Sequence, residues 1–167
     1  MRVLVAHGSL MGGTEGIARM LASTLGADGL ATDVRPAGRV TDVVRYDAAV
    51  IGGAVYSGQW HQDARQLLVR HLEVFRCLPV WLFSSGPLDA SASAGDIAPP
   101  PEVAAIAARI GARGHTTFGG RLPSDVDAFL ARTLGREHAG DWRDPERIDA
   151  WAQEIAAELR GARSLSG

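Results

Sequence analysis

The chain contains no lysine and no asparagine, and all 17 of its basic residues are arginine. Without lysine there is no amine for Schiff-base chemistry. There is also no phosphate-loop ammonium, which removes the P-loop nucleotide triphosphatases. A single cysteine, Cys77, stands among 167 residues. It permits neither an internal disulfide nor a cysteine-based zinc site, and it suits a reducing cytoplasm. The net charge of −2 supplies no surplus of cations for gripping nucleic acid. No stretch approaches the ~18 consecutive apolar residues of a membrane span. The opening MRVLVAHGS is interrupted at His7-Gly8, too early for a secretory signal. These absences lead us to expect a cytoplasmic protein with no metal and no nucleic-acid partner.

What is present is a regular alternation of short apolar runs and amphipathic stretches. Arg2–Ala6 reads as a buried strand, followed by a helix with Ile17, Met20, Leu21 and Leu25 on one face. Ala31–Arg35 is a second strand, Arg39–Arg45 at most a short helix, and Asp47–Gly53 a central strand. A loop over 54–60 leads to a helix from His61 that turns Ala64, Leu67, Leu68, Leu72 and Phe75 inward. Pro79–Phe83 is a fourth strand, and residues 84–100 form a long loop of the kind that often carries function. Pro101 opens a helix that Gly111 closes, and His115–Gly119 is the fifth strand. Ser124 suits the cap of a short helix bearing Val126, Phe129, Leu130 and Leu134. The last helix starts at Asp144-Pro145 and faces Ile148, Trp151, Ile155 and Leu159 inward. Strand–helix alternation through five strands means a parallel sheet covered on both faces. We expect residues 1–161 to form one domain and 162–167 to be a frayed tail.

The chemistry-bearing segment is the turn after the first strand. There a strand ends, a glycine-rich loop follows, and a helix begins. Amides at a helix N-terminus have no intrahelical acceptor and point toward a docked anion. Gly12 and Gly13 allow close approach of backbone, and Ser9 and Thr14 add hydroxyls. The G-x-G-x-x-G spacing of a dinucleotide fold is absent.

Gly8-Ser9-Leu10-Met11-Gly12-Gly13-Thr14 resembles the flavodoxin phosphate loop, S/T-x-T-G-x-T, with Ser9, Gly12 and Thr14 matching and Met11 standing where threonine is usual. The resemblance implies a flavodoxin-like three-layer α/β sandwich, a five-stranded parallel sheet in the order 2-1-3-4-5, and flavin mononucleotide (FMN) as cofactor. In such a sheet the cofactor lies outside the carboxyl ends of strands one, three and four. That nominates Ser9, Leu10, Met11, Gly12, Gly13 and Thr14 for the phosphate. It nominates Ala54, Val55, Tyr56, Ser57, Gly58 and Trp60, and Ser84, Ser85, Gly86, Pro87 and Asp89, for the rest of the molecule. Tyr56 and Trp60 are candidates to cover the flat ring, and for Trp60 a plain packing role competes. His61 is a candidate proton carrier beside the cofactor, against a helix-start histidine that only bonds backbone.

Gly52 to His61 also resembles the G-x-x-I/V-x-x-G-x-x-H stretch of menaquinone-dependent protoporphyrinogen oxidases, as do Phe118–Leu122 and Asp141–Asp144. This implies an FMN-dependent oxidoreductase whose partner is a redox protein or a small molecule such as a porphyrinogen or quinone. The long basic and aromatic insertion of that group is missing. Residues 121–140 carry only Arg121, Arg132 and Arg136, so no stable membrane binding is expected. A one-electron flavodoxin carrier, or a module that has lost its cofactor, are the alternatives. A homodimer is compatible with all three.

Overall fold

The computed structural model describes residues 1–124 and 139–164. Its centre is a sheet of five parallel strands: β1 (Arg2–Gly8), β2 (Ala31–Pro36), β3 (Ala48–Tyr56), β5 (Val80–Ser85) and β6 (Gly114–Phe118). They lie in the order β2-β1-β3-β5-β6. This is the expected 2-1-3-4-5 path. The numbers shift because a two-residue strand, β4 (Gln59–Trp60), pairs antiparallel with the end of β3.

Strand residues alternate between two cores, as the pleat requires. Leu4, Ala6, Ala49, Ile51 and Leu82 pack on α2 (Gln62–Arg70), α3 (Leu72–Phe75) and α5 (Pro101–Ile110) through Leu67, Leu68, Phe75, Val103 and Ile110. Val3, Val5, Ala48, Val50, Trp81 and Phe83 pack on α1 (Gly13–Ala27) and a final helix, α6 (Pro145–Ser164), through Ile17, Leu21, Leu25, Ile148 and Leu159. Burial on both faces explains why β1, β3 and β5 read as continuous apolar runs.

Several boundaries differ from the sequence reading. Residues 54–56 continue β3 instead of starting a loop, because Ser57 (φ 49°) and Gly58 (φ 75°) form a tight two-residue turn and send Gln59–Trp60 back along the strand. The helix after His61 breaks at His71 into α2 and α3. Arg39–Arg45 forms no α-helix; a 3-10 turn at Ala37–Arg39 precedes it. Ser84 and Ser85 belong to β5, and the loop after them contains a single turn of helix, α4 (Ser91–Ala94). The final helix continues past Gly161 to Ser164. A ribbon of β7 (Arg121–Leu122) and β8 (Gly140–Asp141) follows the sheet. The helix expected to follow Ser124, with Val126, Phe129, Leu130 and Leu134, lies outside the described residues.

Two glycines of β3 make room for aromatic rings. A Cβ on Gly52 would overlap the Phe83 ring, and one on Gly53 would lie 2.6 Å from the Trp60 ring. The central strand is thus thin where large side chains cross its carboxyl end.

Candidate functional site

The site starts where β1 meets α1. Gly12 adopts φ 74°, the left-handed conformation that glycine takes without strain. It turns the chain so that the first intrahelical bond runs from Gly16 N–H to the Gly12 carbonyl at 3.0 Å. The amides of Gly13, Thr14 and Glu15 precede that bond and have no acceptor within the helix. Ser9 Oγ accepts from Gly12 N–H at 2.9 Å, which holds the loop closed. The Leu10 amide donates to the Tyr56 hydroxyl at 3.0 Å and so joins the loop to the end of β3.

Thr14 is the informative residue. It is 1 % exposed, and its Oγ1 has no hydrogen-bond partner among the described residues. An unpartnered buried hydroxyl costs roughly 1–3 kcal/mol, so it marks a place where an acceptor belongs. An anion at the helix N-terminus would supply one.

Eight of the nominated residues line one cavity: Ser9, Met11, Gly13, Thr14, Ala54, Tyr56, Ser85 and Gly86. Gly120 and Arg121 complete its wall. Neither was assigned from sequence, although Gly119-Gly120-Arg121 is conspicuous after β6. A second cavity, of about 450 Å³, lies on the other side of the sheet's end. Val55, Ser57, Gly58, Ser84, Gly86 and Pro87 line it, with Ile97 to Pro101 and Thr117, which sequence reasoning also missed. None of its lining residues is charged. Arg147 of α6 pins its far wall, donating to the carbonyls of Ala92 and Thr117 and to Asp96. The run Pro99-Pro100-Pro101 stiffens that wall.

Four nominated residues stand elsewhere. Trp60 is 2 % exposed, stacked under Gly53, and its indole N–H donates to Ser84 Oγ at 2.7 Å. No ring face remains for a planar ligand, so packing is its role. His61 caps α2: its Nδ1 accepts from the Asp63 amide at 3.3 Å. That bond engages Nδ1 and gives the ring a helix-capping role. The Asp89 carboxylate accepts from the Ser91 amide at 2.8 Å just before α4, and hydrogen bonding from the Ser91 side chain and then its amide lowers its pKa. It is turned toward its own turn of helix. Leu10 is 62 % exposed and contributes its amide alone.

Two titratable groups flank the loop. Burial lowers the pKa of His7 at the end of β1, against the opposing pull of Glu15. Glu15, the acid in the first turn of α1, is held by Arg19 through bonds of 3.0 and 2.7 Å. Among the described residues no group of three or more His, Cys, Asp or Glu is placed to hold a metal ion. Among them, too, no helix is long and apolar enough to cross a membrane.

Comparison with known proteins agrees with this geometry. A family model described as a flavodoxin domain matches residues 4–134. Solved structures with the same fold include a cysteine-to-serine mutant of Pseudomonas aeruginosa flavodoxin. It shows 19% identity and a TM-score of 0.63, with 96% of this chain and 99% of that chain covered. A flavodoxin from the domain Archaea shows 12% identity and a TM-score of 0.65 over the same shares. A Fusobacterium nucleatum flavodoxin mutant bound to flavin mononucleotide shows 14% identity and a TM-score of 0.54, over 94% of this chain and 96% of that chain. No curated protein matches the chain. The family match spans most of the sequence and starts within β1: the chain belongs to the flavodoxin domain family.

Proposed function

We propose that the protein binds FMN in the cleft outside β1, β3 and β5 and works as a flavin-dependent oxidoreductase. The observation that carries the cofactor reading is the buried, unpartnered Thr14 hydroxyl at the N-terminus of α1. Gly13, Thr14 and Ser9 would hold the phosphate, and Ala54, Tyr56, Ser85 and Gly86 would line the path away from it. Bound FMN supplies the redox chemistry, taking up and returning electrons. The chain's own residues bind, orient and exclude water. A fit of this kind asks for a phosphate monoester, so FMN should bind more tightly than riboflavin or FAD.

The enzymatic reading is supported by the uncharged cavity of about 450 Å³ beside the cleft, which has room for a small organic substrate. Its walls, Val55, Pro87, Ile97 and Pro99–Pro101, suit a neutral, largely apolar molecule of the quinone kind better than a porphyrinogen, whose carboxylates find no cation there. The similarity to protoporphyrinogen oxidases at residues 52–61 does not itself point to a substrate. Those residues have folding duties here: Gly52 and Gly53 admit aromatic rings, Gly58 makes the turn, and His61 caps α2. The second reading, a one-electron carrier, is supported by the similarity to flavodoxins along 96% of the chain.

The test has two steps. Purified protein reconstituted with FMN should show flavin absorption bands that remain after desalting. Rapid-mixing reduction with NAD(P)H and reoxidation with soluble quinones then separates enzyme from carrier. Turnover with a quinone supports the oxidoreductase, whereas exchange with ferredoxin-type proteins alone favours the carrier.

A further inference from the structure

The chain has no lysine, yet an arginine lines the proposed phosphate site. Arg121 lines the same cavity as Ser9, Gly13 and Thr14. Its position is set by a close crossing of backbones. A Cβ on Gly13 would lie 3.1 Å from the Arg121 amide nitrogen and 3.4 Å from the Arg121 Cβ. The root of the Arg121 side chain therefore sits on the first residue of α1. Two glycines make that crossing possible. A Cβ on Gly119 would run into the Trp142 backbone, and one on Gly120 would lie 3.3 Å from the Gly86 carbonyl oxygen. Hydrogen bonds then fasten the segment. Gly120 N–H donates to the Pro87 carbonyl at 2.7 Å, and Trp142 N–H donates to the Gly120 carbonyl at 3.0 Å.

The charges around α1 are otherwise committed. Arg19 is held by Glu15. Arg143, whose guanidinium packs where a Cβ on Gly16 would be, is held by both oxygens of Asp141 at 2.8 and 2.5 Å. Asp141 faces Arg121 across the β7–β8 ribbon and feels its charge, but its carboxylate oxygens are hydrogen-bonded to Arg143. Among the described residues Arg121 forms no ion pair, and its side chain is exposed. An exposed arginine rooted on a helix N-terminus beside a buried, unpartnered hydroxyl has an obvious counter-ion in a phosphate dianion.

We infer that Arg121 is the residue that reads the charge of the phosphate, selecting a phosphorylated flavin over the uncharged one. The inference rests on the FMN reading above and adds a selectivity residue to it. The β7–β8 ribbon thereby becomes part of the binding site: it carries the cation that the loop itself lacks.

The experiment is a fluorescence titration of the full-length, flavin-stripped protein with FMN and with riboflavin, at low and high salt. Arg121→Gln should raise the FMN dissociation constant about tenfold, the loss expected for one charge-assisted contact. It should leave riboflavin within about twofold of wild type. The salt dependence of FMN binding should flatten in Arg121→Gln, because the screened pair is gone. Arg121→Lys, which keeps the charge, should recover most of the affinity. An unchanged FMN constant in Arg121→Gln overturns the inference while leaving the flavin reading intact. A parallel loss of FMN and riboflavin also overturns it, since that pattern means a role in loop structure. Wild-type protein that takes up no flavin overturns both.

Discussion

The indole N–H of Trp60 donates to the hydroxyl of Ser84 at 2.7 Å, and that hydroxyl meets Nε2 of His115 at 2.8 Å. An indole can only donate, so the Ser84 hydroxyl accepts from Trp60; toward the neutral imidazole of His115 it donates to Nε2 or accepts from Nε2–H according to the tautomer. Burial supports the neutral form by lowering the His115 pKa to about 4. The chain of bonds ties the β3–β4 hairpin to β5 and β6 beneath the second cavity.

Ser84→Ala should therefore destabilise the fold by about 1–3 kcal/mol, since it strands the Trp60 and His115 nitrogens together. Urea unfolding followed by far-ultraviolet circular dichroism measures this. A change below about 0.5 kcal/mol would mean that the network contributes nothing net.

Stability should also fall on acidification, and His115 gives the sign. Its folded pKa of about 4 lies below its ordinary value of 6.5. Between those two values the unfolded chain binds more protons than the folded one, so stability declines as pH falls through that window. Above 6.5 and below about 4 this group contributes no slope. His115→Gln should flatten the decline by on the order of 1–2 kcal/mol, after allowance for solvent screening. Burial lowers the pKa of His7 and His71 in the same direction, so some slope will remain. Unfolding midpoints for both proteins across the window decide the matter. Equal slopes would exclude His115 as a source.

Thr14→Val should weaken FMN by about one to two decades, because a bond to a charged oxygen is worth roughly 1.5–3 kcal/mol. The same change should stabilise or leave unaltered the flavin-free protein, since it removes an unpartnered buried hydroxyl. Titration and thermal unfolding together test this opposite pair of effects. Weaker binding with equal destabilisation of the flavin-free form would point to a packing defect instead.

Gly53→Ala should cost about 1–3 kcal/mol through overpacking, as the new methyl would meet the Trp60 ring. A displaced Trp60 also loses Ser84, so Gly53→Ala and Ser84→Ala should be less than additive in combination. A double-mutant cycle in urea reads this directly, and full additivity would separate the two contacts.

The sequence by itself determined the layers and the loop. Leu4 and Ala6 alternate with Val3 and Val5, and Ile17, Leu21 and Leu25 recur with the helical period, so each element announced its buried face. Gly12 and Gly13 before an amphipathic helix announced an anion site, because that signal is contained in a few adjacent residues. Tertiary structure decided which of the nearby side chains serve the site. Trp60 and His61 sit in the same stretch as Tyr56, yet one packs under Gly53 and the other caps a helix. Composition cannot separate those fates, since they depend on which distant residues the ring and the imidazole meet once the Ser57-Gly58 turn folds the chain back. Arg121 reaches Gly13 across more than a hundred residues, and Arg147 reaches Ala92 across 55. Such meetings follow from how β6 and α6 pack against the rest of the sheet. Local periodicity reports which face an element buries, but not which distant residue it meets.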